Sequence, residues 1–241
     1  MIPLLTPDWP APARVGACVT TRAGGVSAPP YASFNLATHV GDDPANVAAN
    51  RARLREALAL PAAPRWLSQV HGVRCVDVAT VADDVEADAG YAMAAGLVCA
   101  VLTADCLPVL LCDRAATRVA AVHAGWRGLD AGILPRAVRA LGVDAADVIA
   151  WIGPGIGVDA YAVGAALRAR FVAQDPGYAD CFERRGAAWH ADLAGIAGRQ
   201  LALAGVPVVS RHAGCPYADP RFYSYRRDGV TGRFASLIWI R

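Results

Sequence analysis

The chain predicts an α+β fold, a single domain spanning residues 1–241 in which layers of mixed sheet pack with helices. Two observations carry this. Short apolar runs at 97–103, 119–122, 148–152 and 235–240, each bounded by turn residues, read as buried strands. Amphipathic segments at helical spacing lie among them, without the strict alternation of a parallel α/β sheet. At 241 residues, 55% hydrophobic, the chain is long enough to bury a large core. No repeat, low-complexity tract or linker divides it.

In order, residues 14–21 predict a strand, followed by the turn Arg22-Ala23-Gly24-Gly25, and 27–35 a proline-containing loop. Residues 43–60 open on Asp-Pro, a helix start, and place Val47, Leu54 and Leu58 on one face. Residues 66–70 and 75–79 read as strands of a hairpin through Gly72, and 83–90 (DDVEADAG) as an acidic loop. The runs at 97–103 and 119–122 then deliver Asp105-Cys106 and His123. A helix is expected at 130–141, stopped by Gly142. A strand at 148–152 feeds Gly153-Pro154-Gly155-Ile156-Gly157. Helices at 163–173 and 192–203, a strand at 206–211, an arginine-rich turn and a strand at 235–240 complete the chain.

Net charge is +2 and the arginines are scattered, which excludes a basic stripe for nucleic acid. No apolar stretch reaches the ~18 residues of a membrane span, and the N-terminus lacks the pattern of a signal peptide. Seven cysteines, odd in number and without a CxxC pair, read as reduced thiols of a cytoplasmic protein.

Three groups sit at ends of expected strands beside turn residues: His71 in QVHG, Cys106 in TADC and His123 in VHAGWRG. Two imidazoles and a thiolate form a set that zinc accepts, with a fourth position left for water, which is the catalytic form of such a site. Cys106 and His123 are 17 positions apart, and side by side in one sheet they equally make a nucleophile and its base. Ligand and nucleophile both remain open. Cys112 reads as a small core residue. Arg127, just ahead of the expected helix, suits a phosphate or carboxylate. Ser224-Tyr225-Arg226-Arg227-Asp228 is a second anion-capable patch; Tyr161 stands near a pocket wall formed by the GPGIG loop, and Arg22 with Asn35 is a further polar cluster expected at the cleft.

At these residues the sequence resembles the YfiH family, also called the laccase-domain or polyphenol oxidase family, with FAMIN as its mammalian relative. The matching segments are TRAGGVS with YASFNLATHVGDDP, QVHG, TADCLPVLL, AVHAGWRG, IGPGIG with YAVG, and SYRRDGVTGRFASLIWI. They run in order over nearly the whole chain. Departures are small: Gly155 where alanine is common and Cys215-Pro216 where Cys-Thr is usual.

The resemblance implies an α/β/β/α layered, usually monomeric domain. It implies zinc on the residues matching His71, Cys106 and His123, in a pocket for purine nucleosides. The implied reactions are phosphorolysis of adenosine, inosine, guanosine and methylthioadenosine, together with adenosine deamination. The HxE…PCxxC signature of zinc nucleobase deaminases is absent, and Asp105 and Asp88 are the candidates for proton transfer. Copper is the other metal the family's older name suggests, although five histidines in all cannot furnish blue-copper and trinuclear centres together. Two further readings stand. One is a Cys106 hydrolase that edits peptidoglycan precursors by amide cleavage on a muramyl nucleotide. The other is a binding protein with structural zinc.

Overall fold

A computed structural model describes residues 2–241. Two sheets lie face to face. One is antiparallel, in the order Leu4–Leu5, Val15–Thr20, Phe234–Ile240, Val98–Thr103. The other is mixed and runs Val208–Arg211, Val148–Ile152, Leu107–Asp113, Val119–Ala124, Ala89–Ala92, Cys75–Asp77.

Side-chain alternation along each strand divides the core. In Val98–Thr103, Cys99 and Val101 enter the space between the sheets with Leu110, Cys112, Ala121, Trp151 and Ile238. Val98, Ala100 and Leu102 face the other way, toward Leu54 of the helix Pro44–Ala57. On the far face of the mixed sheet, Val109, Leu111 and Val122 pack against the helices Ile133–Ala140 and Leu193–Leu203. The layers are therefore α/β/β/α, as expected, and burial on both faces explains why the central strands read as unbroken apolar runs. Asp43 caps the first helix by accepting from Ala45 N at 2.8 Å, with Pro44 in the first turn.

Several expectations are corrected. Residues 66–79 form no hairpin: Leu67–Ser68 pairs in parallel with Val85–Glu86, and Cys75–Asp77 in parallel with Ala89–Ala92. The acidic loop at 83–90 therefore contains the partner strands, and its Asp88 is fully buried. A strand at Leu107–Asp113 lies between the two apolar runs, so Cys106 precedes a strand instead of closing one. Pro108 near its start disguises it, because proline argues against a central strand. The helix expected from 130 opens at Trp126, breaks at Gly132 in the left-handed region (φ 81°), and resumes as Ile133–Ala140. The polar hairpin Phe182–Arg185 with Ala188–Ala191 was not foreseen, since FERR carries no apolar alternation.

Candidate metal centre and its cavity

The strands Leu107–Asp113 and Val119–Ala124 pair in antiparallel register with Pro108 opposite His123. Cys106, just ahead of the first strand, and His123, in the second, thereby meet at one end of this strand pair and line one cavity. His71 reaches the same point from the loop after Leu67–Ser68. Its Nε2 lies 3.8 Å from Cys106 Sγ, and the ligand atoms of all three residues lie within 4.8 Å of one another. A tetrahedral ion at ~2.3 Å from sulfur and ~2.0 Å from nitrogen would set S and N about 3.5 Å apart, so the spacing fits.

One buried carboxylate arranges this set. Asp88 Oδ1 accepts from His71 N at 2.9 Å and from His123 Nδ1 at 2.8 Å; Oδ2 accepts from Gly72 N at 2.6 Å and Val70 N at 3.3 Å. With Nδ1 donating to Asp88, His123 turns Nε2 toward the site. His71 sits at φ 60°, a left-handed conformation that these bonds hold in place. The segment is tied to the antiparallel sheet as well. Gln69 Nε2 donates to Leu102 O at 2.8 Å, while Gln69 Oε1 accepts from Leu102 N at 2.7 Å.

Electrostatics favour deprotonated sulfur. Burial opposes a charged Cys106, but His123 and His71 outweigh it and bring the thiol down to about 6. Burial likewise opposes charge on His123, yet the Cys106 thiolate and Asp88 push its imidazole up. Burial also raises Asp88, and its bonds to His123, Gly72 and His71 more than reverse this, keeping it ionised.

The backbone leaves room only for glycine at 125. A Cβ there would stand 2.9 Å from Cys106 Sγ and 3.0 Å from His71 Cδ2. Gly125→Ala is expected to lower metal occupancy at least ~10-fold while the fold persists, because ligands held at fixed lengths cannot give way. Metal content after dialysis, read beside circular dichroism, checks this; full occupancy would contradict it.

His71, Cys106 and His123 open on a cavity of about 420 Å³, within the range of small-molecule sites. Arg127, Arg226 and Arg233 line it with His39, Gln69 and Tyr225. Arg127 lies over the Trp126 ring at 4.6 Å and Arg226 over Tyr161 at 5.2 Å. Among the described residues, none of the three guanidinium groups has a carboxylate oxygen within 4.0 Å. The helix at Trp126–Asp130 spans only five residues, so the positive charge comes from the Arg127 guanidinium more than from a helix end.

Asp105 also lines the cavity, but both its oxygens are engaged: Oδ1 accepts from Ser224 Oγ at 2.7 Å and Oδ2 from Arg226 N at 2.6 Å. Burial raises its pKa against those bonds. It fixes the turn that carries Arg226. Arg22 and Asn35, expected at the cleft, do not line it. Arg22 lies over Tyr223 and pairs with Asp228, and the fully buried Asn35 donates to Asp42 and Ala37 O. Loop packing claims both side chains.

The family model for multi-copper polyphenol oxidoreductase laccase matches residues 16–241. The chain belongs to this laccase family. A Pseudomonas aeruginosa relative named purine nucleoside phosphorylase PA4543 is 49% identical over 240 residues, 98% of each chain. Purine nucleoside phosphorylase YfiH of Escherichia coli is 46% identical over 245 residues, 100% of each. The solved structure of Neisseria meningitidis protein NMB0706 superposes with a TM-score of 0.93 at 44% identity, covering 98% of each chain. YlmD from Geobacillus stearothermophilus gives 0.89 at 32%, covering 95% of this chain and 93% of that one.

The laccase family's descriptive name speaks of several coppers. Among the described residues, His71, Cys106 and His123 are the one group of three or more His, Cys, Asp or Glu placed to hold a metal. Of the other histidines, His190 Nδ1 is bonded to Val158 O and His212 lies beside Trp151, while His39 lines the cavity. Sequence reasoning missed His39, Gln69 and Arg233. Each had the same signal, a place in a matching segment: Gln69 in QVHG, His39 in YASFNLATHVGDDP and Arg233 in SYRRDGVTGRFASLIWI.

Proposed function

We propose that this protein is a zinc-dependent purine nucleoside phosphorylase. It would cleave adenosine, inosine, guanosine and methylthioadenosine to the base and the (methylthio)ribose 1-phosphate, with adenosine deamination as a second activity. The observation that carries this is the junction of a His-Cys-His ligand set with a cavity whose arginines lack carboxylate partners. The names of relatives at 49% and 46% identity support it.

The donor set suits zinc, and a zinc ion there would supply a Lewis acid and a water acidic enough to ionise near neutral pH. His71, Cys106 and His123 would hold it, oriented by Asp88. Arg127 and Arg226, over the rings of Trp126 and Tyr161, would give cationic walls around the nucleoside. In phosphorolysis a phosphate oxygen bonds to C1′ as the C1′–N9 bond breaks, and the electron pair leaves with the purine. In deamination the oxygen of water replaces the C6 amino group, which departs as ammonia. Copper suits the same three donors, but phenol oxidation at a multi-copper centre needs more histidines than gather here. We place the enzyme in the cytoplasm as a monomer, without nucleic-acid or membrane partners. No helix among the described residues is long and apolar enough to cross a membrane.

A second reading rests on one observation, the order Asp88, His123, Cys106, which is also that of a cysteine nucleophile with an oriented base. It would make the protein a hydrolase cleaving an amide of a peptidoglycan precursor. Incubating adenosine with and without phosphate, beside His123→Ala, tests the main reading. Adenine with ribose 1-phosphate, formed only with phosphate and lost in the variant, is the expected result. No turnover by metal-loaded, folded protein would sink it.

A further inference from the structure

Arg233 is set apart from the other cavity cations by how it is held. Its backbone N–H donates to Asn35 Oδ1 at 2.9 Å, and its Nη1 donates to Thr231 O at 2.9 Å and Gly232 O at 3.0 Å. Asn35 is itself fixed by Asp42. A side chain on Gly232 would meet Tyr223 at 2.8 Å and Asn35 at 2.9 Å, so the turn is tightly packed. The Tyr225 ring lies 5.8 Å from the guanidinium. These contacts fix the side chain while Nε and Nη2 donate to no protein group among the described residues.

The charge is uncompensated and half-buried. Among the other half-buried arginines, Arg22 and Arg227 use Asp228, while Arg51 donates to Leu36 O over Trp66 and Arg118 to Met93 O and Thr117 O, all outside the cavity that Arg233 lines. Arg127 and Arg226 are exposed, and water can solvate them. A guanidinium withdrawn from water without a counter-ion is costly unless a ligand supplies one. Arg233 lines the same cavity as His71, Cys106 and His123; burial lowers its pKa, opposed by Cys106, Asp105 and Tyr225.

We infer that Arg233 is the anchor for the phosphate co-substrate, binding it through the free Nε and Nη2 fork beside the His-Cys-His set. This rests on the phosphorolysis reading. The chemistry distinguishes the reactants: a purine nucleoside is neutral, and phosphate is the anion of the pair. A fixed guanidinium fork matches two oxygens of a tetrahedral oxyanion. The exposed, ring-stacked Arg127 and Arg226 are then left to the nucleoside and to the rim.

The test uses the metal-loaded protein and inorganic phosphate as the probe, by titration calorimetry, for wild type, Arg233→Gln and Arg233→Lys. Removing a charge-assisted pair of hydrogen bonds is expected to weaken phosphate ~10- to 100-fold in Arg233→Gln, with Arg233→Lys in between. The KM for phosphate should rise in parallel. The KM for adenosine and the metal content should stay within about threefold of wild type. Phosphate affinity within twofold of wild type in Arg233→Gln would overturn the inference, as would an equal rise in both KM values. Arg233→Lys keeps the charge should the glutamine variant prove unstable. If wild type binds phosphate but releases no base from any purine nucleoside, the phosphorylase reading fails while the binding data still judge Arg233.

Discussion

Cys106→Ser is expected to lose the bound metal and roughly 10³-fold or more in nucleoside turnover, because a hydroxyl is a far poorer ligand than a thiolate for a borderline-soft ion. Metal analysis and product chromatography on the same preparation check it. Chelation of wild type should abolish turnover and added zinc should restore it. The metal-stripped protein offers a companion measurement. Burial alone would suppress the Cys106 thiolate, but His123 and His71 hold its pKa at about 6, so iodoacetamide alkylation should rise through that pH. Burial pushes Cys75 and Cys181 up to about 11 and Cys18 and Cys112 to about 12, which keeps them protonated. Zinc should protect Cys106. Activity that survives chelation yet succumbs to iodoacetamide would instead favour the cysteine hydrolase.

Asp88→Asn should weaken metal binding ~10- to 100-fold and destabilise the metal-free fold by about 2–4 kcal/mol. Its two oxygens serve four donors, from Val70, His71, Gly72 and His123, and an amide offers one oxygen with an NH₂ turned against the rest. Zinc titration and urea unfolding give the two numbers, and wild-type values for both would refute the role. The folded pKa of Asp88 is depressed, its bonds outweighing burial. Its ionisation therefore contributes stability in full above the unfolded carboxylate value of about 3.9, and this is lost as pH falls through the lower folded value.

The grouping of His71, Cys106 and His123 was legible because each stands beside a turn residue near a short apolar run, a local pattern. The layered fold was legible because doubly buried strands such as Val98–Thr103 lack polar alternation. Asp88 was not read as an anchor. Nothing near DDVEADAG marks which acid turns inward, and its partners lie 16 to 35 positions away. Arg233 was equally hidden. Its lack of an acid is a property of the packed cavity, and in sequence it is one arginine among 23 basic residues. Arg22 and Asn35 erred in the opposite direction: polar residues in a Gly- and Pro-rich stretch resemble a site, yet here they secure a loop.

Gln69 has a consequence beyond holding His71. Through its paired bonds to Leu102 it joins the ligand-bearing loop to the antiparallel sheet, whereas Cys106 and His123 belong to the mixed sheet. An ion seated on all three residues would thus add a cross-brace to the polar link that Gln69 and Asp88 already make between the two layers. Whatever free energy it gains from native ligand geometry is added to the stability of the whole domain, by about 1.4 kcal/mol for each tenfold excess of free ion over its dissociation constant. The melting temperature of this protein should then act as a gauge of metal supply, and a chain made under metal starvation should be the one its host's proteases remove first.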